Sequence, residues 1–254
     1  MDTWKFYGIT HRDHLFCNPL GGDRVDELVG LLGLPTGARV VEAACGKGEL
    51  LVRLAERYGV SGIGVDVSSW EVPVARARIA ARVPQAALEI VEADAATYPF
   101  EPASADLAVC LGASWIWSGH AGTLAALARV ARPGGLVLVG EPYWRREPDP
   151  AYLAAIELRA EDVGTHAGNV AAGVDLGLTF LYAMPSREDE WDRYEMLQAR
   201  AAENYALARP DDPDVPELLD RMRRGRDAYL RWGRETLGWS LYLFRVPGRG
   251  RPAG

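Results

Sequence analysis

The sequence predicts an α/β fold in which a seven-stranded, mostly parallel sheet carries helices on both faces and a helical cap insertion. Short apolar runs alternate with helical patterns along most of the chain, as is typical of repeated strand–helix units. These runs are apolar throughout, as expected for parallel strands that are buried on both faces. A length of 254 residues, 48% of them hydrophobic, suits one such domain with an elaboration.

The first half of the chain contains four strand patterns and the helices between them. An irregular start is followed by a predicted helix over 23–34, which Pro35 and Gly37 end. Ser68 is placed to cap the helix after the second strand. The predicted strands are 39–43, 62–67, 88–93 and 106–111, and the predicted helices are 48–58, 68–82 and 122–131.

The second half repeats this alternation once and then interrupts it. Pro133-Gly134-Gly135 predicts a turn into a fifth strand over 136–140. Residues 142–177 mix aromatic, charged and glycine residues, which indicates the inserted cap. The later predicted elements are a strand over 178–184, helices over 188–207 and 216–236, and a final strand over 239–246.

Three regions follow from these boundaries. Residues 1–35 are predicted to form an N-terminal lid segment over a main domain of residues 36–246, which includes the cap at about 142–177. Residues 247–254 are rich in glycine, proline and arginine and are predicted to be a disordered tail.

The strongest indication of function lies in residues 40–50. An apolar strand ends at Glu42, a turn of small residues contains Gly46 and Gly48, and a helix begins at once. The next strand ends in Asp66, 20 residues after Gly46. This arrangement is half of a nucleotide-binding βαβ unit, in which the glycines admit a ligand to the backbone and the acid suits the two hydroxyls of a ribose.

Two details indicate which nucleotide is bound. Leu51 stands where a dinucleotide fingerprint requires its third glycine, so the pyrophosphate loop is incomplete. Glu42 faces the turn, where its carboxylate can pair with a ligand ammonium. A ribose together with an ammonium describes S-adenosylmethionine better than NAD.

Residues 42–48 resemble motif I of the class I S-adenosylmethionine-dependent methyltransferases, which usually reads acid-x-Gly-x-Gly-x-Gly. Ala44 stands where the family commonly has its first glycine. Residues 39–140 follow the Rossmann-like core of the family element by element. The segments 17–19, 140–145, 191–194 and 238–239 resemble a bacterial subfamily of small methyltransferases of uncertain substrate.

The resemblance implies S-adenosylmethionine as the cofactor and S-adenosylhomocysteine as its product. Ligands of open α/β sheets bind beyond the carboxyl ends of the strands. There the resemblance implies that Asp94 and the Ala95 amide contact the adenine, and that Leu111 lines the path of the methyl group. The predicted cofactor-binding residues are Glu42, Ala44, Cys45, Gly46, Gly48, Asp66, Val67, Asp94, Ala95 and Leu111.

Aromatic residues predict the acceptor side of the site. Trp115 and Trp117 follow the fourth strand, and Tyr143 and Trp144 follow the fifth. Aromatic walls exclude water and hold flat or cationic molecules. We therefore predict that these four residues bind the substrate, with ordinary core packing as the alternative.

Three side chains are candidate bases for a hydroxyl acceptor. His120 lies on the loop after the fourth strand, His14 precedes a segment expected to fold over the cofactor, and Glu141 ends the fifth strand. An imidazole with the usual pKa of about 6.5 suits proton removal near neutral pH. His11 and His166 are expected to be surface or core histidines.

Composition narrows the partners. A net charge of −7 disfavours nucleic acid, and no apolar run is long enough to predict a membrane span. Three cysteines without metal-ligand spacing fit the cytoplasm and predict no metal site. We predict a cytoplasmic, monomeric or homodimeric enzyme that methylates a small molecule. An NAD-dependent oxidoreductase, a non-catalytic cofactor-binding module and a different use of the cofactor are the alternatives.

Overall fold

The computed structural model describes residues 1–248 and contains a seven-stranded sheet. The strands are β1 (Arg39–Ala43), β2 (Ser61–Asp66), β3 (Leu88–Glu92), β4 (Ala105–Leu111), β5 (Ala131–Trp144), β6 (Thr179–Pro185) and β7 (Leu237–Arg245). The helices are α1 (Thr3–Thr10), α2 (Gly22–Leu32), α3 (Glu49–Tyr58), α4 (Glu71–Arg82), α5 (His120–Val130), α6 (Pro150–Ile156), α7 (His166–Asp175), α8 (Glu188–Ala208), α9 (Val215–Ala228) and α10 (Arg234–Thr236).

The sheet has the order β3-β2-β1-β4-β5-β7-β6. Strands β1 to β5 pair in parallel, and β7 is antiparallel to both β5 and β6. The predicted fold class, a mostly parallel Rossmann-like sheet of seven strands, is therefore confirmed. Ala43 pairs with both Val65 of β2 and Cys110 of β4, so these three strands end at the same edge.

Successive residues of the central strands are buried on opposite faces of the sheet. Val40 and Val109 belong to the core beneath α2, α3 and α4, whereas Val41 and Cys110 belong to the core beneath α5 and α7. Side chains alternate between the two faces of a strand. Burial on both faces therefore explains why these strands are apolar at every position.

Strand β5 is longer than the sequence predicts. It extends to Trp144 because β7 pairs with it from Leu136 to Trp144. Its first residue, Ala131, pairs with Ala105, and a register irregularity follows between Ala105 and Leu107. The predicted Pro-Gly-Gly turn thus lies within the span of the strand.

The start of the chain is helical rather than irregular. In α1, Phe6 and Ile9 pack with Ala202 of α8 and with Leu218 and Met222 of α9. The Asp2 side chain caps this helix by accepting a hydrogen bond from the Lys5 amide at 2.9 Å. Helix α1 therefore lies against α8, with its other face available to the carboxyl edge of the sheet.

The segment 142–177 contains helices, as predicted. Helix α7 packs against α5 and strands β5 to β7, so it belongs to the layer that covers one face of the sheet, and α6 packs against α9. A cap over the site at about 142–177 stays a prediction. The tail predicted at 247–254 falls mostly on residues 249–254, which lie outside the described residues.

The helices within residues 1–248 do not include one that is both long and apolar enough to cross a membrane.

Candidate active site

A cavity of about 260 Å³ opens at the carboxyl ends of β1, β2 and β4. Its walls come from the turn after β1, the loops after β2 and β3, the segment after β4, and the N-terminal segment together with α8. In an open α/β sheet this edge is the usual place for a ligand. The predicted cofactor residues that line it are Ala44, Gly46, Asp66, Val67, Asp94, Ala95 and Leu111.

The turn after β1 requires small residues. Ala44, Gly46 and Gly48 have φ values of 52°, 51° and 65°, in the left-handed region that glycine adopts without steric cost. A Cβ on Gly48 would lie 3.2 Å from the Cβ of Ala75, so the glycine also lets α4 approach the turn. Gly48 serves the turn in this way and does not line the cavity.

Asp66 joins the ends of β1 and β2. Its Oδ2 accepts a hydrogen bond from the Gly46 amide at 2.7 Å, and its Oδ1 accepts one from the Ser68 amide at 2.8 Å. Burial raises the pKa of Asp66, while these amide hydrogen bonds act to lower it. Each carboxylate oxygen can accept more than one hydrogen bond, so the carboxylate can still receive two ligand hydroxyls.

Glu42 carries a buried carboxyl group that lacks a complete set of partners. The residue is 4% exposed, and its Oε2 has no hydrogen-bond partner among the described residues. Burial, with a smaller contribution from the charge of Asp66, raises the pKa of Glu42 to about 8. Together with Cys45 it lines a smaller pocket that adjoins the cavity beneath the turn. An ammonium group placed there would supply the missing partner.

The loops after β2 and β3 form another part of the cavity wall. Asp94 is exposed and accepts a hydrogen bond from the Ala96 amide at 2.8 Å, while Ala95 is buried. Val67 and Asp94 both line the cavity. This part of the wall combines an apolar surface with a carboxylate, as a purine with an exocyclic amine requires.

Lys47 attaches the N-terminal segment to the turn. Its buried Nζ donates hydrogen bonds to the carbonyl oxygens of His11 at 2.6 Å, Arg12 at 3.2 Å and His14 at 2.9 Å. These contacts hold the chain after α1 against the carboxyl edge of the sheet. Trp4, Tyr7, His11 and Cys17 consequently line the cavity.

Comparison with known proteins agrees with this geometry. A family described as "Methyltransferase domain" matches residues 40–135. The protein YjhP of Escherichia coli (strain K12) is 30% identical over 244 residues, which cover 95% of this chain and 98% of YjhP. The crystal structure of an S-adenosylmethionine-dependent methyltransferase from Thiobacillus denitrificans in complex with S-adenosylhomocysteine is 31% identical. It covers 97% of this chain and 100% of that chain, with a TM-score of 0.89.

A further relative is a trans-aconitate 2-methyltransferase from Acidovorax sp. (strain JS42), 30% identical over 236 residues that cover 87% of this chain and 85% of the relative. These likenesses extend over nearly all of the chain. The chain belongs to the class I S-adenosylmethionine-dependent methyltransferases. Its cofactor is S-adenosylmethionine, and the unpartnered carboxyl oxygen of Glu42, the glycine turn and the carboxylate of Asp66 fit that molecule.

Of the four aromatic residues predicted to bind the substrate, only Trp115 lines the cavity of the methyltransferase, where it is 66% exposed. Trp117 packs against the core beneath α5. Tyr143 and Trp144 do not follow β5 but belong to it, and they lie outside the cavity lining. Tyr143 packs on His166 with 4.7 Å between ring centroids, and Trp144 Nε1 donates to the Ala160 carbonyl oxygen at 2.8 Å.

Two of the predicted bases contact each other instead of the cavity. His120 Nε2 lies 2.9 Å from the carbonyl oxygen of Asn169, and His120 Nδ1 lies 3.8 Å from Glu141 Oε2. A carbonyl only accepts, so Nε2 carries a hydrogen. Ser114 donates to the other oxygen of Glu141 at 2.9 Å. The imidazole and the carboxyl group therefore face each other across a buried gap, and His120 Nδ1 and Glu141 Oε2 have no hydrogen-bond partner among the described residues.

His14, the third predicted base, lies behind the cavity wall. Its Nε2 is 2.9 Å from the carbonyl oxygen of Tyr194, and the side chain lines a separate pocket. Burial lowers the pKa of His14. Catalysis by His120, His14 or Glu141 stays a prediction, and the positions of these side chains do not favour it.

We call the cavity residues outside the predicted cofactor set the acceptor wall. Most of them were not predicted from the sequence. They include Trp4, Tyr7, His11, Cys17, Glu71 and Ile116. Tyr194 of α8 lines the same wall. One available signal was the spacing of Trp4, Tyr7 and His11, which places them on one face of a helix. His11, expected to be a surface or core histidine, is buried at 4% exposure and also lines the cavity.

Proposed function

We propose that this methyltransferase transfers a methyl group from S-adenosylmethionine to a small organic molecule bound beneath α1. The observation that supports the proposal is that two acidic residues lie near each other at one edge of the sheet. Glu42 has an unpartnered buried oxygen, and Asp66 lies beside it at the end of the next strand. The cofactor supplies an electrophilic methyl group on a sulfonium.

Residue roles follow from the positions described above. In this proposal, Glu42 receives the ammonium of the methionine part and Asp66 receives the ribose hydroxyls. Asp94, with Ala95 and Val67, holds the adenine. Methyl transfer is an in-line displacement that depends mainly on alignment and on the exclusion of water. Aromatic residues beside the cavity supply that exclusion.

The size of the cavity supports a small acceptor. We place the cofactor and the acceptor in this cavity of about 260 Å³, which is comparable in size with small-molecule sites. A net charge of −7 also disfavours nucleic acid. We further propose a reducing compartment such as the cytoplasm, because Cys17, Cys45 and Cys110 are all free thiols.

The charge of the cavity bears on the acceptor named for the relatives. Within residues 1–248, no arginine or lysine lines the cavity, whereas Asp66, Glu71 and Asp94 do. A polycarboxylate such as trans-aconitate would meet like charges without a cationic partner. We therefore do not assign trans-aconitate to this chain.

Transfer of a labelled methyl group tests the proposed function. The protein is incubated with S-adenosylmethionine carrying a ¹³C-methyl group and with fractions of small bacterial metabolites, and products are detected by mass spectrometry. We expect a labelled product that is absent with the Asp66→Asn variant. Formation of S-adenosylhomocysteine without any methylated product, across fractions and with trans-aconitate, would contradict transfer to a small molecule.

A further inference from the structure

Two polar side chains meet at the acceptor wall of the cavity. His11, from the end of α1, and Tyr194, from α8, both line the cavity. The Nε2 atom of His11 lies 2.8 Å from the hydroxyl oxygen of Tyr194. The rings of Trp4 and Tyr7 and the apolar side chain of Ile116 lie on the same wall, and Glu71 contributes a carboxyl group to the cavity.

The surroundings of the other ring nitrogen determine the hydrogen positions. His11 Nδ1 lies 3.2 Å from the carbonyl oxygen of Tyr7 and 3.3 Å from the Thr10 hydroxyl. The carbonyl only accepts, and Thr10 already donates its hydrogen to the Phe6 carbonyl at 3.0 Å. Nδ1 is therefore the protonated nitrogen, and Nε2 carries the lone pair of a neutral ring.

Burial, with smaller contributions from His14 and Lys47, lowers the pKa of His11 to about 3, which agrees with a neutral ring. The Tyr194 hydroxyl must then donate its hydrogen to His11 Nε2. Its oxygen keeps lone pairs that no other described residue uses. The pair consequently presents a hydrogen-bond acceptor, and not a donor, to a molecule in the cavity.

We propose that Tyr194 Oη, oriented by His11, anchors the methyl acceptor by accepting a hydrogen bond from it. The acceptor is then a ring-containing molecule that presents an O–H or N–H hydrogen. Its ring fits the aromatic part of the wall, and its polar hydrogen meets a free lone pair of Tyr194 Oη. The proposal rests on the proposed function, since it assigns the substrate end of the same cavity. Tyr194 is the binding residue and His11 is a positioning residue that acts through it.

Simple aromatic probes test this anchor in the protein saturated with S-adenosylhomocysteine. Phenol and aniline present a hydrogen, whereas their methylated counterparts methoxybenzene and N,N-dimethylaniline have similar rings without one. Dissociation constants come from saturation-transfer NMR titrations. We expect phenol or aniline to bind about fivefold more tightly than its counterpart, as one net hydrogen bond implies. Equal affinity within both pairs would overturn the proposal.

Variants test whether Tyr194 and His11 cause the tighter binding of phenol or aniline. Tyr194→Phe is expected to abolish it, and Tyr205→Phe is the matched control, because the Tyr205 hydroxyl on the same helix donates to Asp212 instead. His11→Leu should also abolish the preference, while His11→Gln, whose side-chain oxygen can accept from Tyr194, should retain it. A preference that survives in Tyr194→Phe would overturn the proposal, and this variant decides alone if His11→Leu does not fold.

Calorimetry with S-adenosylhomocysteine tests the proposed function separately from the proposed Tyr194 anchor. Every folded variant is expected to bind it within about twofold of the wild-type protein, because the pair does not contact the acids of the cofactor end. Loss of the probe preference with retained binding supports the anchor. Failure of the wild-type protein to bind S-adenosylhomocysteine would contradict the proposed function itself.

Discussion

Lys47 Nζ lies 2.6 Å from the carbonyl oxygen of His11, so the turn after β1 directly holds the N-terminal segment that lines the cavity. Lys47 stands between Gly46 and Gly48, and His11 follows the end of α1. Any ligand that changes the conformation of the turn therefore also acts on the acceptor wall. This contact gives a physical route by which cofactor binding can order the N-terminal segment before the acceptor enters.

Lys47→Met should loosen residues 11–16. The variant leaves three carbonyl oxygens without their cationic donor, and hydrogen bonds to a charged group contribute about 1.5–3 kcal/mol each at most. Hydrogen–deuterium exchange is expected to be faster over residues 4–17 than in the wild-type protein, with and without S-adenosylhomocysteine. Arg57→Met, on the exposed side of α3, is the control. Unchanged exchange in Lys47→Met would show that the contacts do not hold the segment.

Asp66→Asn should weaken the binding of S-adenosylhomocysteine by about 2 kcal/mol, or roughly thirtyfold in Kd. The amide keeps one oxygen for a backbone amide but loses the charge and one acceptor site. Calorimetry measures the change, and Asp94→Asn should cost less because Asp94 is exposed. A Kd for Asp66→Asn equal to the wild-type value would remove Asp66 from the ribose contact.

Glu42→Gln should stabilise the cofactor-free protein at high pH. Folding raises the pKa of Glu42 to about 8, well above the usual carboxyl value of about 4.3. The folded state therefore holds this proton more tightly, and the contribution of Glu42 to stability is lost as the pH rises from about 4.3 through about 8. At about pH 8.5 the variant should be more stable than the wild type by up to about 5 kcal/mol, the value that these two pKa values imply.

Urea denaturation at two pH values measures this difference. The two proteins should converge near pH 4, where the wild-type carboxyl is largely protonated in the unfolded as well as the folded state. Glu42→Gln should nevertheless bind S-adenosylhomocysteine more weakly, because the ammonium loses its counter-charge. A stability gap that does not depend on pH, or unchanged ligand affinity, would contradict the role assigned to Glu42.

His120→Ala should lower the free energy of unfolding clearly and the rate of methyl transfer only slightly. The variant removes a partner of the Asn169 carbonyl and leaves Glu141 facing an empty space, which costs about 1–3 kcal/mol for buried polar groups. The free energy of unfolding is measured by denaturation, and the rate with any acceptor found by methyl labelling. A hundredfold slower transfer at unchanged stability would instead establish His120 as the base.

The central sheet could be predicted because its determinants are local. The strand that ends at Glu42, the glycine turn and the strand that ends at Asp66 each follow from apolar runs and turn residues. Strand β5 could not be bounded in this way. Its last residues, Tyr143 and Trp144, are extended only because β7 pairs with them from about a hundred positions later in the chain.

The acceptor wall was difficult to predict for the same reason. His11 and Tyr194 are 183 positions apart in the chain, and only the packing of α1 against α8 brings them together. Trp144 was predicted to bind the substrate but does not line the cavity. Its aromatic ring follows a strand end in the sequence but packs against Tyr152 in the structure. Residue type alone does not distinguish these two outcomes.

The central claim is that this sheet edge binds the S-adenosyl nucleotide and not a dinucleotide. Leu51 in place of a third glycine, together with the buried acids Glu42 and Asp66, carries the claim. Calorimetric titration of the wild-type protein with S-adenosylhomocysteine, and separately with NAD, tests it most directly. We expect saturable binding of S-adenosylhomocysteine with a Kd in the micromolar range and no measurable heat with NAD. Tight binding of NAD without binding of S-adenosylhomocysteine would contradict it.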